Sequence, residues 1–69
     1  MNTIIRDNVM NNIKEENSSS IFQIIDESVN NNDEISLPGM GVLLEIFWNN
    51  STKDEKEKLC IIIEKGLKN

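Results

Sequence analysis

Between Met40 and Trp48 every residue except Gly41 and Glu45 is apolar. At about 100° per residue, Met40, Val42, Leu43, Leu44, Ile46, Phe47 and Trp48 cover about 240° of a helical wheel. Only Gly41, Glu45 and Asn49, spaced by four, make a polar seam. A helix with so little polar surface has to be wrapped by other elements. A bilayer is not that wrapping: the near-apolar stretch Gly39 to Trp48 contains Glu45 and falls far short of the roughly 20 residues a span needs. The wrapping must therefore come from the rest of a 69-residue chain, a length that allows one domain. A chain of this size buries on folding only about 60% of the surface it exposes when unfolded, so its stability is marginal. The expectation is an all-α, compact bundle of four short helices in a single domain over residues 1–69, with the third helix central.

The first helix is predicted over residues 3–15, where Ile5, Val9 and Ile13 recur every fourth residue with Met10 beside them. The run Asn17 to Ser20 breaks it and offers Ser18 or Ser19 as the next N-cap. The second helix, over 20–31, places Ile21, Phe22, Ile24, Ile25 and Val29 within an arc of about 160° and ends in the run Asn30 to Asp33. The third helix, over 38–49, opens on Pro38, whose missing N–H suits a first turn. Gly39 and Gly41 near its start allow a neighbouring helix to approach closely. The fourth helix, over 52–66, is capped by Ser51 with Asp54 in the capping-box position and stops at Gly66-Leu67 in a Schellman turn. Its stripe is Leu59, Cys60, Ile62, Ile63 and Leu67, and Asp54–Lys58 and Glu64–Lys68 are spaced as ion pairs. Leu59 to Ile63 is also β-branched enough to read as a buried strand, but no second strand pairs with it.

Composition removes most chemistry. There is no His and no Tyr, and a lone Cys60 on an apolar stripe reads as a buried, inert thiol. With no His and no second Cys there is no zinc or iron–sulfur site, so no metal, cofactor or catalytic residue is expected, and the chain reads as no enzyme. Glu45 reads as a half-exposed seam residue pairing with a lysine, and Phe47 and Trp48 read as core. Gly39-Met40-Gly41 lacks the third glycine, the Lys-Ser/Thr and the preceding strand of a phosphate loop. Ile4 and Ile61 fall off their stripes and, with Trp48, could form a dimer or partner patch.

The formal charge is −5, which opposes nonspecific nucleic-acid binding, and the lysines of the last 17 residues are nearly neutralised by their neighbours. Met1 to Ile13 carries Arg6 and Asp7 and has no apolar run of seven, so it does not read as a signal peptide. An intracellular, reducing location with no membrane association follows as the simplest reading. Eleven Asn, eleven Ile and no Ala point to an AT-rich coding sequence.

The segment Leu37-Pro38-Gly39-Met40-Gly41-Val42-Leu43-Leu44-Glu45-Ile46-Phe47-Trp48 closely resembles the signature of the small acid-soluble spore protein I family of spore-forming Firmicutes. That family carries a Leu-Pro-Gly-Leu-Gly-Val-Leu-Phe-Glu-Val-Ile-Trp core. The likeness extends upstream through Arg6, Val9, Asn12, Ile25-Asp26 and Glu34, and downstream through Glu55-Lys56, Leu59, Glu64 and Gly66-Leu67. Leu44, Ile46 and Phe47 depart from the family core by size-conserving apolar changes, and the usual alanines are missing. The AT-rich drift suggests a clostridial relative of the bacillus proteins.

The resemblance implies a minor, non-enzymatic protein of the spore core, made in the forespore cytoplasm late in sporulation. It implies no mechanism. The motifs of the DNA-coating α/β-type spore proteins and a germination-protease recognition segment are both missing from the sequence. The leading expectation is a sporulation and dormancy protein that binds a macromolecular partner, existing as a monomer or weak homodimer. The alternatives are a protein–protein adaptor or regulator of sporulation and a DNA-associated spore protein. The candidate partner surface is Leu37, Pro38, Gly39, Gly41, Glu45 and Trp48.

Overall fold

A computed structural model describes residues 3–32 and 34–69. Four helices follow one another: α1 (Thr3–Ile13), α2 (Ser18–Asn30), α3 (Leu37–Asn50) and α4 (Lys53–Lys68), with a single 3-10 turn, Glu34–Ser36, leading into α3. There is no strand among the described residues, so Leu59 to Ile63 is helical. The protein is all-α, as the periodicities predict.

The helix ends differ from expectation by one or two residues, and each difference has a local cause. The cap of α2 is Asn17 rather than Ser18 or Ser19: its Oδ1 accepts the Ser20 N–H at 2.9 Å, so the helix starts at Ser18 instead of residue 20. Asn caps as well as Ser does. At the other end the Asn31 N–H donates to the Glu27 carbonyl at 3.0 Å, and Asn32 follows in the left-handed region at φ 50°, which Asn tolerates. The cap of α4 is Thr52 rather than Ser51. Its Oγ1 accepts the Glu55 N–H at 3.2 Å while Glu55 Oε1 accepts the Thr52 N–H at 2.8 Å. Glu reaches back across the turn where the shorter Asp54 falls short, so the Thr–Glu register wins. Ser51 instead donates its hydroxyl to the Phe47 carbonyl and closes α3. No glycine has positive φ, so Gly66 makes no Schellman turn and α4 runs on to Lys68. Helix α1 stops at Ile13, short of residue 15, and Lys14 keeps one further bond to the Met10 carbonyl at 3.0 Å.

α3 is the central helix. It carries Val42, the one buried apolar residue among those described. Packing between elements is concentrated where α1 lies on α3 and where the 3-10 turn meets α3. Gly39 sits under α1, where a Cβ on it would stand 3.7 Å from Val9 Cγ2. Among the described residues nothing lies within 4 Å of the corresponding point on Gly41, so of the two glycines Gly39 marks the close approach. Because Arg6 reaches Glu45 while Val9 meets Gly39, α1 and α3 run in opposite senses.

The bundle is looser than expected. A compact chain of this length has a radius of gyration of about 11 Å, whereas this one has 13.1 Å. A globular protein of 7.9 kDa exposes about 4,400 Å², whereas this chain exposes 5956 Å². The surplus is apolar in good part. Phe47 and Trp48, expected in the core, are 39% and 42% exposed, and Cys60 is exposed rather than buried. Their wheel positions are those predicted, but the neighbouring helices cover Phe47 and Trp48 only in part and leave Cys60 exposed.

Candidate functional site

The strongest polar contact between helices joins α1 to α3. Arg6 Nε donates to Glu45 Oε1 at 2.7 Å and Nη2 donates to Oε2 at 2.6 Å, a two-bond fork that only a guanidinium can offer a carboxylate. The seam of α3 thus pairs with the arginine of α1 and not with a lysine. Arg6 is brought there because α1 lays its Ile5, Val9 and Ile13 stripe along the cleft beside Gly39, Met40 and Leu43. Hydrogen bonding from Arg6 holds the Glu45 carboxyl below the usual glutamate range, with partial desolvation opposing and charge attraction assisting. The same bonds raise the Arg6 guanidinium, so both groups are charged at neutral pH.

The six signature residues divide between two sides of α3. Pro38 and Gly39 turn toward the apolar cleft between α1, α2 and α3, whose volume is about 490 Å³. Leu37 lines a separate depression with Val29 and Asn32 at the end of α2. Gly41, Glu45 and Trp48 come together on the outer face, where with Leu44 and Asn49 they line one shallow hollow. Trp48 also walls a second hollow with Lys53, Lys56, Glu57, Cys60 and Ile61, and Lys56 Nζ lies 5.2 Å from the centre of its ring. Trp48 is therefore the shared wall of two adjoining hollows, with Glu45 in one and Lys53, Lys56 and Glu57 in the other. Ile61 joins it there, while Ile4 lines neither hollow.

Three contributors were not legible in the local pattern. Arg6 is 39 residues from Glu45, and no short-range spacing signals that pair. Leu44 reads as one more wrapped apolar residue of α3 but is 48% exposed beside Glu45. Lys56 had a usable signal: the link between α3 and α4 is only Ser51 and Thr52, which folds a residue early in α4 back toward the end of α3. Among the described residues no group of three or more His, Cys, Asp or Glu could hold a metal ion, and no helix is long and apolar enough to cross a membrane. The two hollows together offer one glycine, two carboxylates, one indole and two lysines beside apolar side chains.

The family model for Small, acid-soluble spore protein I matches residues 3–67, which includes all of this surface. The chain belongs to the small, acid-soluble spore protein I family. It is 36% identical over 67 residues to the Small, acid-soluble spore protein I of Halalkalibacterium halodurans, covering 97% of this chain and 98% of that one. The protein of the same name from Shouchella clausii is 33% identical over 63 residues, 91% of each chain. That of Bacillus cytotoxicus is 33% identical over 69 residues, 100% of this chain and 99% of the relative. No solved structure matches the chain. The chain is thus a small, acid-soluble spore protein, and Leu37 to Trp48 lies wholly inside the matched span of that family.

Proposed function

We propose that this spore protein is a non-enzymatic component of the spore core, made in the forespore, that acts by binding a protein partner through the outer face of α3. Membership of the small, acid-soluble spore protein I family over residues 3–67 carries the spore assignment. The surface reading rests on Gly41. A glycine inside a helix weakens it by about 0.5–1 kcal/mol relative to alanine, and among the described residues nothing lies close enough to require the missing side chain here. Bare backbone flanked by a fixed carboxylate and a half-exposed indole suits close approach from outside. Trp48 offers the rigid amphipathic anchor that protein interfaces favour. An adaptor or regulator of sporulation uses the same surface in the same way, and differs only in what the partner does next.

Two measurements test this. An expression time course with fractionated spores should find the chain in forespores and in the core of purified spores. Its presence in vegetative cells and absence from purified spores contradicts the assignment. A pull-down from sporulating lysate should recover one stoichiometric protein partner, lost on Trp48→Ala. Recovery of the chain alone contradicts the surface reading.

Association with DNA is the second reading, and one observation favours it: Lys53 and Lys56 line the hollow of Trp48, the aromatic-with-cation arrangement on which bases stack. Glu57 sits in the same hollow and the chain carries −5 overall, so the protein reading is preferred. Duplex binding at low salt, where phosphate contacts are strongest, supports the DNA reading, and no binding there rejects it.

A further inference from the structure

Two amphipathic helices keep large apolar residues in solvent, although α2 also lends Ile24 to the cleft between α1 and α3. On α2, Phe22 is 70% exposed and Val29 is 55% exposed. On α4, Ile62 is 66% exposed and Leu67 is 81% exposed. The charges beside the two stripes are opposite. Residues 15–44 contain six carboxylates and no lysine or arginine, whereas residues 51–69 contain five lysines against four carboxylates. Asp26 and Glu27 flank the α2 stripe and Lys58 and Lys65 flank one edge of the α4 stripe, and no ion pair engages any of the four among the described residues. The helices are also of similar length, 13 and 16 residues, or about 20 and 24 Å.

We infer that the occupant of these faces is a second copy of the chain, with α2 of each copy packing against α4 of the other in a two-fold homodimer. A two-fold arrangement forms both helix pairs at once and leaves neither stripe open. The area fits. The chain exposes 5956 Å², about 1,500 Å² more than a compact protein of its mass, so a dimer that covers the surplus buries about 3,000 Å² in all. That lies in the range of obligate homodimers, which runs from about 2,000 Å² upward. A foreign partner would need both an acidic and a basic apolar helix at the matching separation, which this chain already supplies. The inference concerns the stripes of α2 and α4 and does not depend on the partner-binding reading of Gly41 and Glu45.

Sedimentation equilibrium of the full chain at low ionic strength should give twice the chain mass of 7.9 kDa at high concentration, dissociating on dilution. Two charge-reversed chains, Lys58→Glu with Lys65→Glu and Asp26→Lys with Glu27→Lys, should each self-associate about tenfold more weakly. Their equimolar mixture should regain wild-type affinity, because each acidic stripe then faces a basic one. Circular dichroism of each variant checks that helix content is kept, and recovery on mixing does not require either variant to be stable alone. A wild-type chain that stays at 7.9 kDa throughout overturns the inference, whether α2 and α4 close on each other within one chain or await a different protein. Reversed variants that dimerise as well as the wild type overturn it also.

Discussion

Arg6 and Glu45 are the residues through which α1 holds α3 most specifically, and the pair is partly exposed, so its effect on stability is modest and screened by solvent. Its sign with pH is nonetheless definite. The fork lowers the Glu45 carboxyl below the ordinary glutamate value. Its contribution is therefore full at and above that ordinary value and is lost as the pH falls through the lower folded-state value. Thermal unfolding of the wild-type chain and of Glu45→Gln, followed by circular dichroism from neutral pH into acid, should show a gap in midpoint at neutral pH that closes in acid. A gap that does not change with pH contradicts the pairing. Gly41 gives the complementary residue-scale expectation. Gly41→Ala should stabilise the fold by about 0.5–1 kcal/mol, since its helix is intact and the space beside it is open. Denaturant titration checks this, and a loss of stability would mean that some part of the chain does pack there.

At the scale of the elements, the caps decide where each helix begins. The Thr52–Glu55 box satisfies two amide donors at the start of α4, so Thr52→Ala should cost about 1 kcal/mol while Ser51→Ala leaves that helix start untouched. Amide exchange in the first turn of α4 separates the two registers. Four helices and their order were legible in the spacing of apolar residues, and Pro38 marked the start of α3 within one residue. The register of the caps was less legible because Asn17, Ser18 and Ser19, or Ser51 and Thr52, are neighbouring side chains of nearly equal capping ability. Which one caps depends on the reach of the residue three positions on, Ser20 or Glu55, and that is a matter of geometry. The C-terminus of α4 was misread for a related reason: Gly66 permits a left-handed turn but does not impose one.

For the molecule as a whole, the apolar fraction of α3 identified the helix that others pack on, and Val42 is where they do so most completely. What periodicity cannot encode is the angle and distance between helices. A stripe states which side of α4 is apolar but not whether anything covers it, which is why Cys60, Phe47 and Trp48 were placed inside and lie partly in solvent. The site divides in the same manner: Glu45 and Trp48 were legible as seam and aromatic, Lys56 follows from the two-residue link between α3 and α4, and Arg6 arrives only through tertiary placement. Stability should be distributed accordingly. Native-state hydrogen exchange on a dilute, monomeric sample should protect the amides of α1 and α3 most, around Val9 and Val42, and those of α2 and the later turns of α4 least. Uniform protection across the four helices would contradict the loose arrangement. The central claim, that the outer face of α3 is where a partner protein docks, is tested most directly by a photo-crosslinking residue placed at Asn49, on the rim of the Gly41 hollow, in sporulating cells, with Asn11 on α1 as control. The expected result is one dominant adduct with a distinct protein from position 49 and none from position 11. Identical adduct patterns from the two positions, or no adduct at position 49, would contradict it.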